Sequence, residues 1–277
     1  MKNWKPVANK YLVQQRSTHF APQPEELKVY SQLSKKLFQK IFKRKVRPTI
    51  LVLGATPEFR DWGLSHKCNV LSVDINKEMV AGVKKFLQIK NRKNEKVMIG
   101  DWLDLPIADA SVDLIVGDVS LNNIPFNKFS LVLSELKRVL REDGMICIKE
   151  VIYPDKPIGI PNFKQSVSLY RKNKLTAGEF YVFNRFYNFR TIAYDKKTRR
   201  LYAEKVFDEF DRQLKKGLLN QNEHEELNKF RNKIIHTIFQ EKEYRKIVLK
   251  HFPSMKLYSS KGKKYYKNIF RILLIKN

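Results

Sequence analysis

The 277-residue sequence predicts an α/β fold built on a mostly parallel sheet, and three observations carry that prediction. Between residues 49 and 155, short β-branched runs alternate with stretches of helical periodicity, the pattern of strands joined by crossover helices. The second run ends on an acidic residue, Asp74, about 20 positions after the glycine that ends the first, Gly54. After residue 155 the alternation gives way to a long basic stretch, and strand-like runs resume only near the end.

Pro48 closes a basic helix and opens the first strand, 50–53. Further strands are expected at 70–73, 96–99, 112–116 and 145–148, the last entered through Asp143 and Gly144, read as a turn that releases the preceding helix. Met79, Val83, Phe86 and Leu87 form one helical face, and Phe129, Leu133, Leu136 and Leu140 another, with Asn76 and Asn127 as expected N-caps. Upstream, Leu27, Tyr30, Leu33, Leu37 and Ile41 mark an amphipathic helix begun at Pro24, with Glu25 and Glu26 favouring its dipole. Strands at 255–258 and 269–275, around a Lys-Gly-Lys turn, are expected to close the sheet. The chain thus divides into a basic helical segment (1–48), a sheet domain (49–155 with 251–277) and a basic, aromatic helical insertion between strands five and six (156–250), read as a substrate lid.

Net charge is +27, and it is unevenly placed. Residues 1–48 hold 12 basic and 2 acidic side chains, 49–155 hold 14 and 15, and 156–277 hold 29 and 11. The positive flanks are suited to RNA or another polyanion, or to solubility alone. Cys68 and Cys147 lie singly in apolar runs, which argues against a disulfide framework. The first residues lack an apolar signal core, and the run 272–275 is far too short to cross a bilayer, so a cytoplasmic protein without membrane elements is expected. No metal-ligand cluster and no nucleophilic triad is evident.

A carboxylate at the end of the second strand, where an open α/β sheet receives its ligand, is placed to hold a ribose diol. The loop after the first strand, Gly54-Ala55-Thr56-Pro57-Glu58, narrows the ligand. A pyrophosphate needs several glycines for close backbone approach, and this loop has one, so NAD and FAD fit poorly. S-adenosylmethionine has no phosphate and presents an ammonium and a carboxylate, which suit a loop offering Glu58 and backbone N–H groups.

Over residues 50–150 the sequence resembles the class I S-adenosylmethionine-dependent methyltransferases, in particular a subset whose first loop reads Gly-Ala-Thr-Pro-Glu. The resemblance rests on an ordered set: Leu53 to Glu58; Val73-Asp74-Ile75; Gly100-Asp101-Trp102-Leu103-Asp104-Leu105-Pro106; Val112 to Asp118; and Arg138 through Gly144. It implies a Rossmann-like methyltransferase sheet, mostly parallel with an antiparallel last strand, carrying N-terminal helices and a helical insertion between strands 5 and 6. It also implies a cofactor site at Gly54, Ala55, Thr56, Glu58, Asp74, Ile75, Asp101, Trp102 and Asp118. In it Asp74 binds both ribose hydroxyls, Asp101 binds the adenine amine with Trp102 alongside the ring, and Asp118 faces the methionine end. Val52 stands where the family often has an acidic residue, and only Gly54 remains of its glycine cluster, so Glu58 and Asp118 are expected to hold the ammonium instead.

Asp118 and Glu150, at strand carboxyl ends, are the candidate catalytic bases, with Tyr11 and His19 able to reach over from the N-terminal segment. Asn123-Ile124-Pro125-Phe126 is like the tetrad with which adenine-N6 methyltransferases grip a flipped base. Here it follows the fourth strand too late, and a plain loop before a helix is the better reading. Phe180, Tyr181, Phe183, Phe186, Tyr187 and Phe189, interleaved with Arg185 and Arg190, suit either base stacking or the packed face of a lid helix. The acceptor is therefore open between RNA or another polyanion and a small molecule, and a non-catalytic cofactor-binding protein is the third reading.

Overall fold

A computed structural model describes residues 21–155, 161–260 and 269–277. Tyr11, His19, the first residues of the expected insertion and the Lys-Gly-Lys turn at 261–263 lie outside the described residues.

The central sheet has seven strands: β1 (Thr49–Leu53), β2 (Asn69–Asp74), β3 (Glu95–Ile99), β4 (Val112–Asp118), β5 (Leu140–Val151), β9 (Ser254–Ser259) and β10 (Phe270–Lys276). Their spatial order is β3-β2-β1-β4-β5-β10-β9. The first five are mutually parallel, and β10 inserts antiparallel between β5 and β9. The expected sheet is present, with its antiparallel end. Both faces are covered, which is why the strands are nearly continuous apolar runs. On one face α1 (Pro24–Lys43) and α2 (Pro57–Ser65) pack on Ile50, Val52, Leu114 and Val116. On the other, α4 (Phe129–Val139) and α10 (Glu241–Val248) cover Leu51, Leu53, Ile115 and Ile146.

Local sequence chemistry explains several boundaries. Asn76 caps α3 (Lys77–Val83), its side chain accepting the Met79 amide at 2.9 Å, as expected. Asn127 does not cap α4: it lies in a 3-10 turn, and Lys128 holds the N-cap position. Asp143 and Gly144 are not a turn ahead of β5 but lie within it. Leu140 already pairs with Val112, the register then slips, and Met145 resumes opposite Leu114.

Between β5 and β9 the chain builds α5 (Phe163–Arg171), α6 (Ala177–Phe183), α7 (Arg190–Ala193), α8 (Ala203–Lys215) and α9 (Gln221–Asn228). The sequence predicts a helical segment here. It also contains a three-stranded antiparallel sheet of β6 (Tyr194–Asp195), β7 (Arg200–Tyr202) and β8 (Ile235–Thr237). Strands of two or three residues carry no readable period, and pairing alone fixes them. Phe180, Tyr181, Phe183, Phe186 and Phe189 are all buried in this segment's own core, so they form packing and offer no face to a nucleobase.

Asn122, in the turn after β4, fastens the insertion to the sheet. Its amide donates to the carbonyls of Val151 (3.1 Å) and Thr237 (2.8 Å), and its oxygen accepts the Val151 amide at 2.8 Å. Asn122→Ala strands these buried backbone groups, and urea denaturation should show a loss of about 1–3 kcal/mol.

Candidate active site

The chain order reverses between β1 and β4, and the carboxyl ends of these two strands frame the crevice where an open α/β sheet receives ligand. Gly54 follows β1 at φ +103°, a conformation that favours glycine, and its amide donates to Val73 O at 2.9 Å. Ser72 Oγ donates to Gly54 O at 2.7 Å and holds the loop against β2. A Cβ on Gly54 would stand 3.7 Å from both Asp74 Oδ2 and Trp102 Cζ2, so loop, carboxylate and indole converge on one cradle.

Asp74 sits at the end of β2, with Oδ1 accepting the Asn76 amide at 2.8 Å and a further hydrogen bond from the Ala55 backbone. Burial outweighs these bonds and raises its pKa to about 6. Trp102 is buried, its Nε1 donating to Val73 O at 2.7 Å. It therefore forms a wall beneath the loop instead of an exposed stacking face. Asp101 is half-buried, and its Oδ1 accepts the Leu103 amide at 3.1 Å. Ile75 and its neighbour Ile99, 39% and 55% exposed, leave an apolar edge beside Asp74. The sequence resemblance implies Ile75 but carries no signal for Ile99, which β2–β3 pairing sets opposite Asp74.

At the end of β4, Asp118 is buried and paired with Lys149 Nζ at 3.0 Å. The same ammonium meets Glu26 Oε2, from α1, at 2.9 Å. Burial raises the Asp118 pKa to about 7; Lys149 pulls it down, while Glu26 and Glu58 push it up. Glu58, in the first turn of α2, thus adds negative charge near the same carboxylate. Val119 follows at φ +54°, a strained conformation for a β-branched residue that costs about 1–3 kcal/mol. Its amide is held by Lys149 O at 2.7 Å, and Ser120 Oγ bonds both Leu53 O and the Asp118 amide.

Glu150 is not placed as a base. Its two carboxylate oxygens accept the amides of Leu121 (2.8 Å) and Asn122 (2.9 Å), and the side chain is fully buried. It positions the turn after β4, a role that a residue flagged only by its strand-end position does not reveal. Asn123, Ile124 and Pro125 lie in that turn and lead into α4, and Ile124 belongs to the core under α4.

Residues 54–148 match the model of a methyltransferase domain. This segment is a class I methyltransferase domain. A demethylmenaquinone methyltransferase of Staphylococcus saprophyticus is 32% identical over 118 residues, covering 40% of this chain and 47% of that protein. The match thus spans less than half of the relative, and the methyltransferase-domain match at residues 54–148 leaves out the flanks and the insertion. The solved structure of the PH0226 protein of Pyrococcus horikoshii superposes with a TM-score of 0.54 at 13% identity, over 97% of this chain and 98% of that one. The CMeT domain of the citrinin polyketide synthase gives 0.50 at 13% identity, over 94% and 55%. At such identity these two speak for the fold alone. No described helix is long and apolar enough to cross a membrane.

The raised pKa of Asp74 would make the binding of a ribose-bearing ligand to it pH-dependent. Hydroxyl donors need the ionised carboxylate, so calorimetry should show affinity for S-adenosylhomocysteine falling as pH drops through about 6, by roughly tenfold per unit below it. The effect on folding has the opposite sign. A carboxyl that binds its proton more tightly when folded makes the unliganded protein lose stability as pH rises from the usual carboxylate range through about 6. Asp74→Asn should remove both slopes.

Proposed function

We propose that the chain is an S-adenosylmethionine-dependent methyltransferase acting on a small molecule enclosed by the insertion. The cradle of Gly54, Asp74 and Trp102, at the switch point of a methyltransferase domain, carries the cofactor reading. Asp74 accepts from a ribose diol, Ile75 and Ile99 flank a flat base, and Asp101 takes its exocyclic amine. Charges of both signs act on Asp118, Lys149 against Glu26 and Glu58, and carboxylates outnumber the ammonium. That balance suits a cationic ligand end, with Glu58 and Asp118 nearest to it. S-adenosylmethionine supplies a methyl already activated on a sulfonium, so the protein's task is to position an acceptor lone pair in line with it.

Two observations favour a small acceptor. The insertion's aromatic side chains form a closed core, and the relatives matched over the domain are named as demethylmenaquinone methyltransferases, which points to a quinone-type ring. The uneven charge favours a second reading, in which basic flanks hold RNA or another polyanion.

Incubation with methyl-labelled S-adenosylmethionine and a cell extract separates these readings. Label is expected in the small-molecule fraction, and none with Asp74→Ala. Label in RNA, or RNA affinity that falls steeply with added salt, would select the polyanion instead. No label in any fraction, with cofactor binding intact, would overturn the enzymatic reading.

A further inference from the structure

Arg185 lies in a single π-helical turn, Asn184–Asn188, directly after α6, and is 1% exposed. Such turns collect at functional sites. Its guanidinium donates to Tyr181 Oη at 2.7 Å, His236 Nδ1 at 2.9 Å and the Ile234 carbonyl at 3.3 Å. None of these partners is anionic. Arginine has only donors, so His236 Nδ1 meets it with a lone pair and the ring is neutral. Burial and the adjacent guanidinium both push the His236 pKa well below its usual range. Among the described residues no carboxylate pairs with Arg185, and its Nε–H is buried with no partner. The hydroxyl of Tyr153 is a second buried group with no partner. An uncompensated buried cation costs several kcal/mol, so a fold that keeps one is poised for an anion from elsewhere.

Both groups stand on the cofactor side of the sheet. His236 precedes Thr237, whose carbonyl is held by Asn122 in the turn after Asp118. Tyr153 follows β5 by two residues, with the Arg190 guanidinium stacked 3.8 Å from its ring centroid. Burial above all raises the Tyr153 pKa, against the pull of Arg190 and, more weakly, of Arg185. Aromatic rings surround the cation: Phe186 at 5.3 Å and Tyr181 at 5.7 Å. Phe186 in turn meets Phe270, over which Lys149 lies.

We infer that Arg185 and Tyr153 bind the ionised hydroxyl of an aromatic methyl acceptor, an inference that rests on the methyltransferase reading above. The site explains how an acceptor oxygen is made nucleophilic when Glu150 is tied to backbone amides and Asp118 to Lys149. The acceptor's O–H bond breaks with the electron pair left on oxygen, and the proton passes to water. The guanidinium and the Tyr153 hydroxyl hold the resulting anion, so the lowered pKa of the acceptor replaces a dedicated base.

The test titrates the full chain, saturated with S-adenosylhomocysteine, with para-nitrophenol at about one unit below that phenol's solution pKa. Bound probe should show phenolate absorbance, equivalent to at least a tenfold shift toward the anion, while para-nitroanisole should bind weakly. Arg185→Met should abolish the phenolate signal, keep S-adenosylhomocysteine affinity and melt at or above the wild-type temperature, since a buried charge is removed. Tyr153→Phe, which deletes only the hydroxyl, should weaken phenolate binding roughly threefold to tenfold. Probe bound only as the neutral phenol, or an undiminished phenolate signal in Arg185→Met, would overturn the inference. Failure to bind S-adenosylhomocysteine at all would overturn the methyltransferase reading and this inference with it.

Discussion

Lys149 is the interaction on which the rest of the molecule turns. Its ammonium is fully buried in β5, between Glu26 of the N-terminal helix and Asp118 at the end of β4, and Ser260 Oγ donates to the same Glu26. A cation in that position is tolerable only with its carboxylates in place, and each carboxylate is tolerable only with the cation. One charge cluster therefore fixes α1 on the sheet, sets the carboxylate beside the cofactor crevice, and ties in the segment after β9. Tyr30, one turn along α1, adds a hydrogen bond to Gly117 O at 3.1 Å. The N-terminal helix is thus part of the site's foundation, although none of its side chains need touch a ligand.

The opposite edge of the crevice is governed by backbone satisfaction. Glu150 and Asn122 together partner buried amides and carbonyls of the turn after β4, of β5 and of β8. These bonds hold the insertion over the carboxyl ends of β4 and β5 at a distance fixed by two side chains. The neighbouring residues of β5 accordingly have different partners: Lys149 meets α1 and Asp118, while Glu150 meets the turn that carries the insertion. Val119, at φ +54°, donates its amide to the Lys149 carbonyl at 2.7 Å.

Much of the domain is legible in the sequence because its signals are local. Alternating periodicities mark β1 to β5 and their helices, and Asp74 is recognisable because a carboxylate directly after a strand has one place to be in an open sheet. Signals fail where pairing decides. Asp143 and Gly144 have turn composition, yet Leu140 pairs with Val112 and draws them into a bulge of β5. The short strands β6 to β8 exist only through each other. Glu150 has the position expected of a base and is spent on amides instead.

The sequence by itself determined the α/β class, the order of the strands' appearance, and the identity of the residues at the switch point, because each follows from spacing along one stretch of chain. Tertiary structure alone decided which charges meet. Glu26 and Lys149 are 123 positions apart, and Arg185 and His236 are 51 apart. No periodicity relates such pairs. Their partnership is set by desolvation, which makes any buried charge seek whatever compensation the completed fold brings within reach.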